Sequence, residues 1–132
     1  MKGFALSPVG VVRSSMKNPV SPDMFKDHES RIVLDSFYLP AFEDLKDPQD
    51  ILVIFRFHRS SSFPFVVHPR GDASRPLRGV FSTCSPRRPN FLGATRCRLV
   101  RREGAVLVVK GLDAIDGTPV LDIKPFVMES SK

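Results

Sequence analysis

Apolar and polar residues alternate along this chain in short runs broken by Gly, Pro, Ser and Asp, and a period of two is the mark of half-buried strands. Such runs predict strands at 9–13 (VGVVR), 31–37 (RIVLDSF), 50–58 (DILVIFRFH), 65–68 (FVVH), 78–83 (RGVFST), 93–101 (GATRCRLVR), 105–112 (AVLVVKGL) and 119–127 (PVLDIKPFV). Helical spacing shows only at 40–48 (PAFEDLKDP), with Pro40 suited to an early position and Pro48 as the stop. In GATRCRLVR the alternation sets Thr95, Cys97 and Leu99 against Arg96, Arg98 and Val100; in LDIKPF it sets Leu121 and Ile123 against Asp122 and Lys124. REG at 102–104 reads as a hairpin turn, while 14–30 and 58–65 read as long loops of the kind that carry function. Near eight strands with short connections predict an all-β fold: a small antiparallel barrel, closed or partly open, with at most one short helix.

Composition narrows the setting. A length of 132 residues suits one domain over 1–132 with a real core. No apolar run is long enough to span a bilayer, and MKGFALSPVGVV lacks the apolar centre of a signal peptide, so no membrane partner is expected and the cytoplasm is the expected location. The two cysteines, Cys84 and Cys97, are expected to be thiols there. The net charge of +6 is concentrated: 70–102 holds nine arginines against Asp72 alone, which leaves +8 in that third and −2 elsewhere. Arginine's planar fork suits phosphate and carboxylate, so the cluster points to a polyanion, the alternative being a solvated face with acidic partners from other loops.

Motifs exclude several chemistries. There is no glycine-rich dinucleotide fingerprint, no phosphate-binding P-loop and no G-x-S-x-G elbow. His58, His68, Cys84 and Cys97 lack the close pairing of zinc ligands, so no metal is expected. GLDAIDGTPVLDIKPF (111–126) carries Asp113, Asp116 and Asp122; Asp116-Gly117 has turn chemistry, whereas Asp113 directly follows an apolar run, where a carboxylate can accept a hydrogen bond or a proton.

Two blocks together, GVFSTCSPRRPNFLGATRCRLV and GLDAIDGTPVLDIKPF, with VGVVRSS before them, resemble the TrmO/TsaA family. That family carries G-V-F-(A/S)-T-R-S-P-x-R-P-N-P-I-G and, later, L-D-x-x-D-G-T-P-V-x-D-I-K-P-Y. The resemblance implies a small β-barrel, an S-adenosyl-L-methionine cofactor, and methylation of the exocyclic nitrogen of threonylcarbamoyladenosine beside the anticodon of tRNA. It also implies a homodimer. Carried over by motif, the cofactor would be bound by His58, Arg59, Cys84, Ala94, Asp113, Ala114, Ile115 and Asp116. Asp113 or Asp116 would be the catalytic base, and Arg87, Arg88, Asn90, Arg96, Arg98 and Lys124 would hold RNA. The chain departs from the pattern where Cys84 replaces an arginine, where Phe91 replaces a proline, and where NPVSPDMF (18–25) replaces a P-R-Q loop. Two alternatives stay open: a methyltransferase with another acceptor, and a barrel that binds RNA or a ligand without catalysis.

Overall fold

The computed structural model describes residues 1–126. Its strands are β1 (Gly10–Arg13), β2 (Glu29–Leu34), β3 (Gln49–Arg56), β4 (Val66–Val67), β5 (Arg78–Gly79), β6 (Leu92–Glu103), β7 (Val106–Lys110) and β8 (Pro119–Pro125), with one α-helical turn, α1 (Leu39–Phe42), and short 3-10 turns in the connections. Six strands close an antiparallel barrel in the order β1-β2-β7-β6-β3-β8, while β4 and β5 form a separate two-stranded ribbon. The inward positions of the alternating runs fill the barrel: Val12, Ile32, Ile51, Val53, Leu99, Leu107 and Val120 have no exposed surface. Full burial of side chains of this size stabilises by about 1.5–3 kcal/mol each. Among the described residues no helix is long and apolar enough to cross a membrane.

Alternation correctly orients most of β6, with Cys97 and Leu99 buried and Arg96 and Arg98 exposed. Past Leu99 the ladder slips, Leu99 facing Val109 and Arg101 facing Val108, so Val100 is an extra bulged residue. The β6–β7 hairpin turns on Gly104, whose φ of 62° suits glycine at the first position of a two-residue loop.

Four expectations need correction. In β8 the register slips so that Asp122 faces Ile54 while Val120 faces Phe55. The bulge flips parity, so Val120 is buried, Ile123 packs on the core, and Leu121 does not share its face. The runs at 65–68 and 78–83 shrink to two paired residues each. Pro64, Pro69 and Pro76 limit their pairing, and a tight turn at Val80–Ser82 follows Gly79. The helix expected at 40–48 is the single turn Leu39–Phe42, anchored by buried Phe42; the polar residues that follow bring too little apolar surface to offset the cost of propagating so short a helix. The strand over 31–37 stops at Leu34, where the Asp35 carboxylate accepts from the Phe37 N–H at 2.9 Å and starts a turn. Residue 127 of the last expected strand lies outside the described residues.

Candidate functional site

A cavity of about 1130 Å³ opens at the end of the barrel where β3 finishes and β8 begins, walled by chain segments near positions 20, 57, 70, 84 and 114. Its floor is aromatic. Phe55 and Phe57, the last inward positions of the long apolar run, meet edge to face with centroids 5.2 Å apart. Gly93 lies beneath them: a β-carbon there would come within 2.6 Å of the Phe55 ring and 2.8 Å of the Phe57 ring. No other residue type leaves both rings in place.

Asp113 stands on the wall, half-buried, and burial raises its pKa above the ordinary value of 3.8, with Arg70 across the cavity opposing the shift. His58 stands at the end of the floor, its Nε2 3.6 Å from the place a β-carbon on Gly117 would occupy. Burial lowers its pKa from 6.5, with Arg59 adding to the effect and Asp116 opposing it, so the ring is neutral at pH 7. Arg59 donates from Nη1 to the Lys17 carbonyl at 3.0 Å and to Asn18 Oδ1 at 3.2 Å, which ties the long first loop to the end of β3.

Asp116 has a different environment. Its carboxylate accepts from the Ser14 N–H and from Lys17 Nζ, both at 3.0 Å, with Arg13 at 4.0 Å. The Ser14 N–H, then Lys17, hold its pKa below 3.8. Its own N–H donates to the Met16 carbonyl at 2.7 Å. The result is a clasp that fixes the first loop against the 113–118 turn.

The 82–86 wall is braced from within. Arg88 Nη1 donates to the Thr83 carbonyl at 2.6 Å, and the Ser85 N–H donates to Thr83 Oγ1 at 3.2 Å. Cys84 is thereby held on the cavity lining with an exposed thiol, while Cys97 is buried in the core with its thiol pushed up to about 12 by desolvation.

Of the residues expected to bind the cofactor, His58, Arg59, Cys84, Asp113, Ala114 and Ile115 share this cavity. Asp116 and Ala94 do not. Asp116 is turned into the clasp, and Ala94 pairs with outward-facing Ile54, one residue too far along a strand whose inward residue is Gly93. None of the six expected RNA contacts lines the cavity. Arg87 is exposed, Arg88 is the brace, and Asn90 takes a left-handed φ of 67° in the turn before β6. Arg96 and Arg98 both pair with Asp50, at 2.6 and 3.1 Å, and Lys124 pairs with Asp122 at 3.0 Å, all on the outside of the barrel. The arginine segment is thus less bare than its sequence, because Asp50 folds back onto it.

Residue-by-residue reasoning missed Phe55, Phe57, Gly93, Arg70 and the 19–22 loop. The first two were signalled by the period-two run that ends at His58, and Gly93 by its place in the second block. Nothing local signals Arg70, which reaches the cavity from a left-handed φ of 58°. His68 Nδ1 lies 2.7 Å from the Arg75 carbonyl, and among the described residues no three His, Cys, Asp or Glu side chains gather as a metal site would need.

Residues 11–131 match the family model described as the tRNA-methyltransferase O N-terminal domain. A "Probable S-adenosyl-L-methionine-binding protein" of Pyrococcus abyssi is 34% identical over 126 residues, which cover 92% of this chain and 67% of that protein. A mouse protein named "tRNA (adenine(37)-N6)-methyltransferase" is 40% identical over 88 residues, 64% of this chain and 20% of that protein. The crystal structure of TrmO from Pseudomonas aeruginosa superposes with a TM-score of 0.75 at 31% identity, covering 96% of this chain and 57% of that one. The chain therefore spans little more than half of that solved protein and a fifth of the mouse one.

Proposed function

Because the chain belongs to the family of the tRNA-methyltransferase O N-terminal domain, we propose that it is an S-adenosyl-L-methionine-dependent tRNA methyltransferase. We further propose that its acceptor is the exocyclic nitrogen of threonylcarbamoyladenosine beside the anticodon. One observation carries the reading: two sequence blocks far apart in the chain, 82–86 and 113–118, meet across a single cavity with an aromatic floor.

The residues present suit the cofactor. The cavity is at or above the upper end of the roughly 300–1000 Å³ usual for small-molecule sites, which leaves room for an acceptor group beside a nucleoside. Phe55 and Phe57 give the cavity an apolar aromatic floor for a nucleoside, Asp113 a carboxylate for positive charge, and Arg59 and Arg70 a guanidinium for an amino-acid carboxylate. His58, Arg59, Cys84, Asp113, Ala114 and Ile115 would hold it. When bound, S-adenosyl-L-methionine supplies an electrophilic methyl group on a cationic sulfur. The protein's share is alignment, exclusion of water by the braced 82–86 wall, and a place for the acceptor's proton. Asp113 takes that proton, since burial makes it more basic than a solvated carboxylate. Asp116, held below the ordinary range, positions the loop instead.

Cys84, where the family pattern has an arginine, favours a second reading: a methyltransferase of the same mechanism with another acceptor. Pairing of two copies and a cytoplasmic setting belong to the main reading. Phe65, Leu77 and Phe81, exposed on and beside the β4–β5 ribbon, form the surface a second copy would cover, and sedimentation checks this.

Calorimetric titration with S-adenosyl-L-methionine and its demethylated product is the first test, followed by transfer of labelled methyl to tRNA with and without the threonylcarbamoyl group. Micromolar binding with transfer only to the modified tRNA is expected. Transfer to neither tRNA would shift the reading to another acceptor, and no binding at millimolar ligand would overturn it.

A further inference from the structure

Outward positions on β8, β3 and β6 form a stripe that runs down the barrel from the cavity end. Register fixes it: Arg56 faces Leu92, Ile54 lies between Ala94 and Asp122, Leu52 lies between Arg96 and Lys124, and Asp50 faces Arg98. At the cavity end, the Arg56 guanidinium lies 5.3 Å from the Phe91 ring centroid, and Phe63 packs 6.1 Å from Phe91. At the far end, Arg96 lies 4.5 Å from the Phe126 centroid. From Asp50 to Arg56 the strand advances about 20 Å, at roughly 3.3 Å per residue.

Charge along the stripe is unbalanced. Among the described residues of these three strands, Arg56, Arg96, Arg98 and Lys124 share the stripe with two carboxylates, Asp50 and Asp122. One carboxylate serves two arginines: Asp50 accepts from Arg96 Nε and Nη2 at 3.0 and 2.6 Å and from Arg98 Nη1 at 3.1 Å. Arginines set over aromatic rings suit a single strand of nucleic acid, which presents phosphates to the guanidinium groups and base faces to the rings.

We propose that this stripe is the track for the RNA strand that leaves the cavity, and that Asp50 sets its strength by competing with phosphates for Arg96 and Arg98. The inference rests on the tRNA reading above. Asp50 is not a counter-ion to a free surface but a resident competitor, displaced from two arginines when a phosphate arrives. Each phosphate neutralised steepens the fall of log K with log salt by about 0.7–0.9.

The test measures polarisation of a fluorescein-labelled anticodon stem-loop RNA bound to the whole chain across a potassium chloride series, with cofactor affinity measured by calorimetry in parallel. R96A/R98A is expected to weaken RNA binding several-fold and to lower the salt slope by about one to two. D50N is expected to tighten binding and raise the slope. R56A, beyond the reach of Asp50, is expected to lower the slope by about one and guards against a folding defect in D50N. Equal slopes in all four proteins would overturn the track, as would weaker binding in D50N with its circular dichroism intact. So would loss of dimer in R96A/R98A at an unchanged slope, which would make the stripe a contact between copies. Cofactor affinity separates this idea from the one beneath it: slopes that shift as expected in a protein that binds no S-adenosyl-L-methionine would sustain the track and sink the methyltransferase.

Discussion

Asp113 and Asp116 are three residues apart and chemically identical, yet their surroundings drive them in opposite directions. Asp113 is desolvated at the cavity wall, and its folded pKa stands above the unfolded one. Its contribution to stability is complete below about 3.8 and is lost as pH rises through the folded value. Asp116 has its folded pKa lowered by the Ser14 N–H and by Lys17, so its contribution is present above 3.8 and is lost as pH falls through the folded value. Asp113→Asn is therefore expected to raise the melting temperature at pH 7, with the gain shrinking towards pH 4, while methyl transfer collapses. Asp116→Asn is expected to lower the melting temperature at pH 7 and to spare much of the transfer. Melts followed by circular dichroism at both pH values check this, and an Asp113→Asn protein that melts lower than the parent at pH 7 would refute the assignment.

At the scale of elements, the junction into β6 carries the tightest constraint. Asn90 and Phe91 both take left-handed backbone, at φ 67° and 55°, before the strand passes Gly93 under the two floor rings. Asparagine tolerates that region, but phenylalanine is strained in it. It is retained by the Phe57 N–H donating to its carbonyl at 2.7 Å and by its own N–H donating to Arg88 at 3.0 Å. Gly93→Ala is expected to cost about 1–3 kcal/mol in urea unfolding, the usual penalty of overpacking. It is also expected to weaken cofactor binding more than Asp116→Asn does, because the rings must move into the cavity; unchanged affinity would mean that the floor is not the binding surface. The barrel strands were legible in the sequence because most of their positions alternate between a dry inside and a wet outside, as in β2 and β3, even though bulges interrupt the pattern in β6 and β8. The runs at 65–68 and 78–83 were misread in extent because Phe65 and Phe81 are aromatic without being buried, so period two there does not report a core. Ala94 and Asp116 lie off the cavity lining for a related reason: a motif gives the neighbourhood, and one residue along a strand, or one hydrogen-bonded turn, decides which way a side chain faces.

In the whole molecule, the ladders differ in length. β3 meets β6 through eight residue pairs, from Gln49–Leu99 to Arg56–Leu92, whereas β1 meets β8 only at Gly10–Val120 and Val11–Pro119. Flanking bonds from the Val9 N–H to Val120 and from the Val12 N–H to Thr118 extend that seam to the edge of the cavity. Amide hydrogen exchange is expected to be faster at Val9 and Val12 than at Ile51 and Val53, and to slow at the seam when S-adenosyl-L-methionine binds, since Thr118 is part of the cavity lining. Uniform protection across the barrel would contradict it. The same strand order has a consequence for synthesis. β1 and β3 each wait for β8 as a neighbour, so a nascent chain carries two open edges until residue 125 has been made. The 113–118 wall also comes late. A ribosome that stalls before it releases a partial sheet with exposed edges and no cofactor site, a substrate for chaperones or proteases rather than a weakened enzyme.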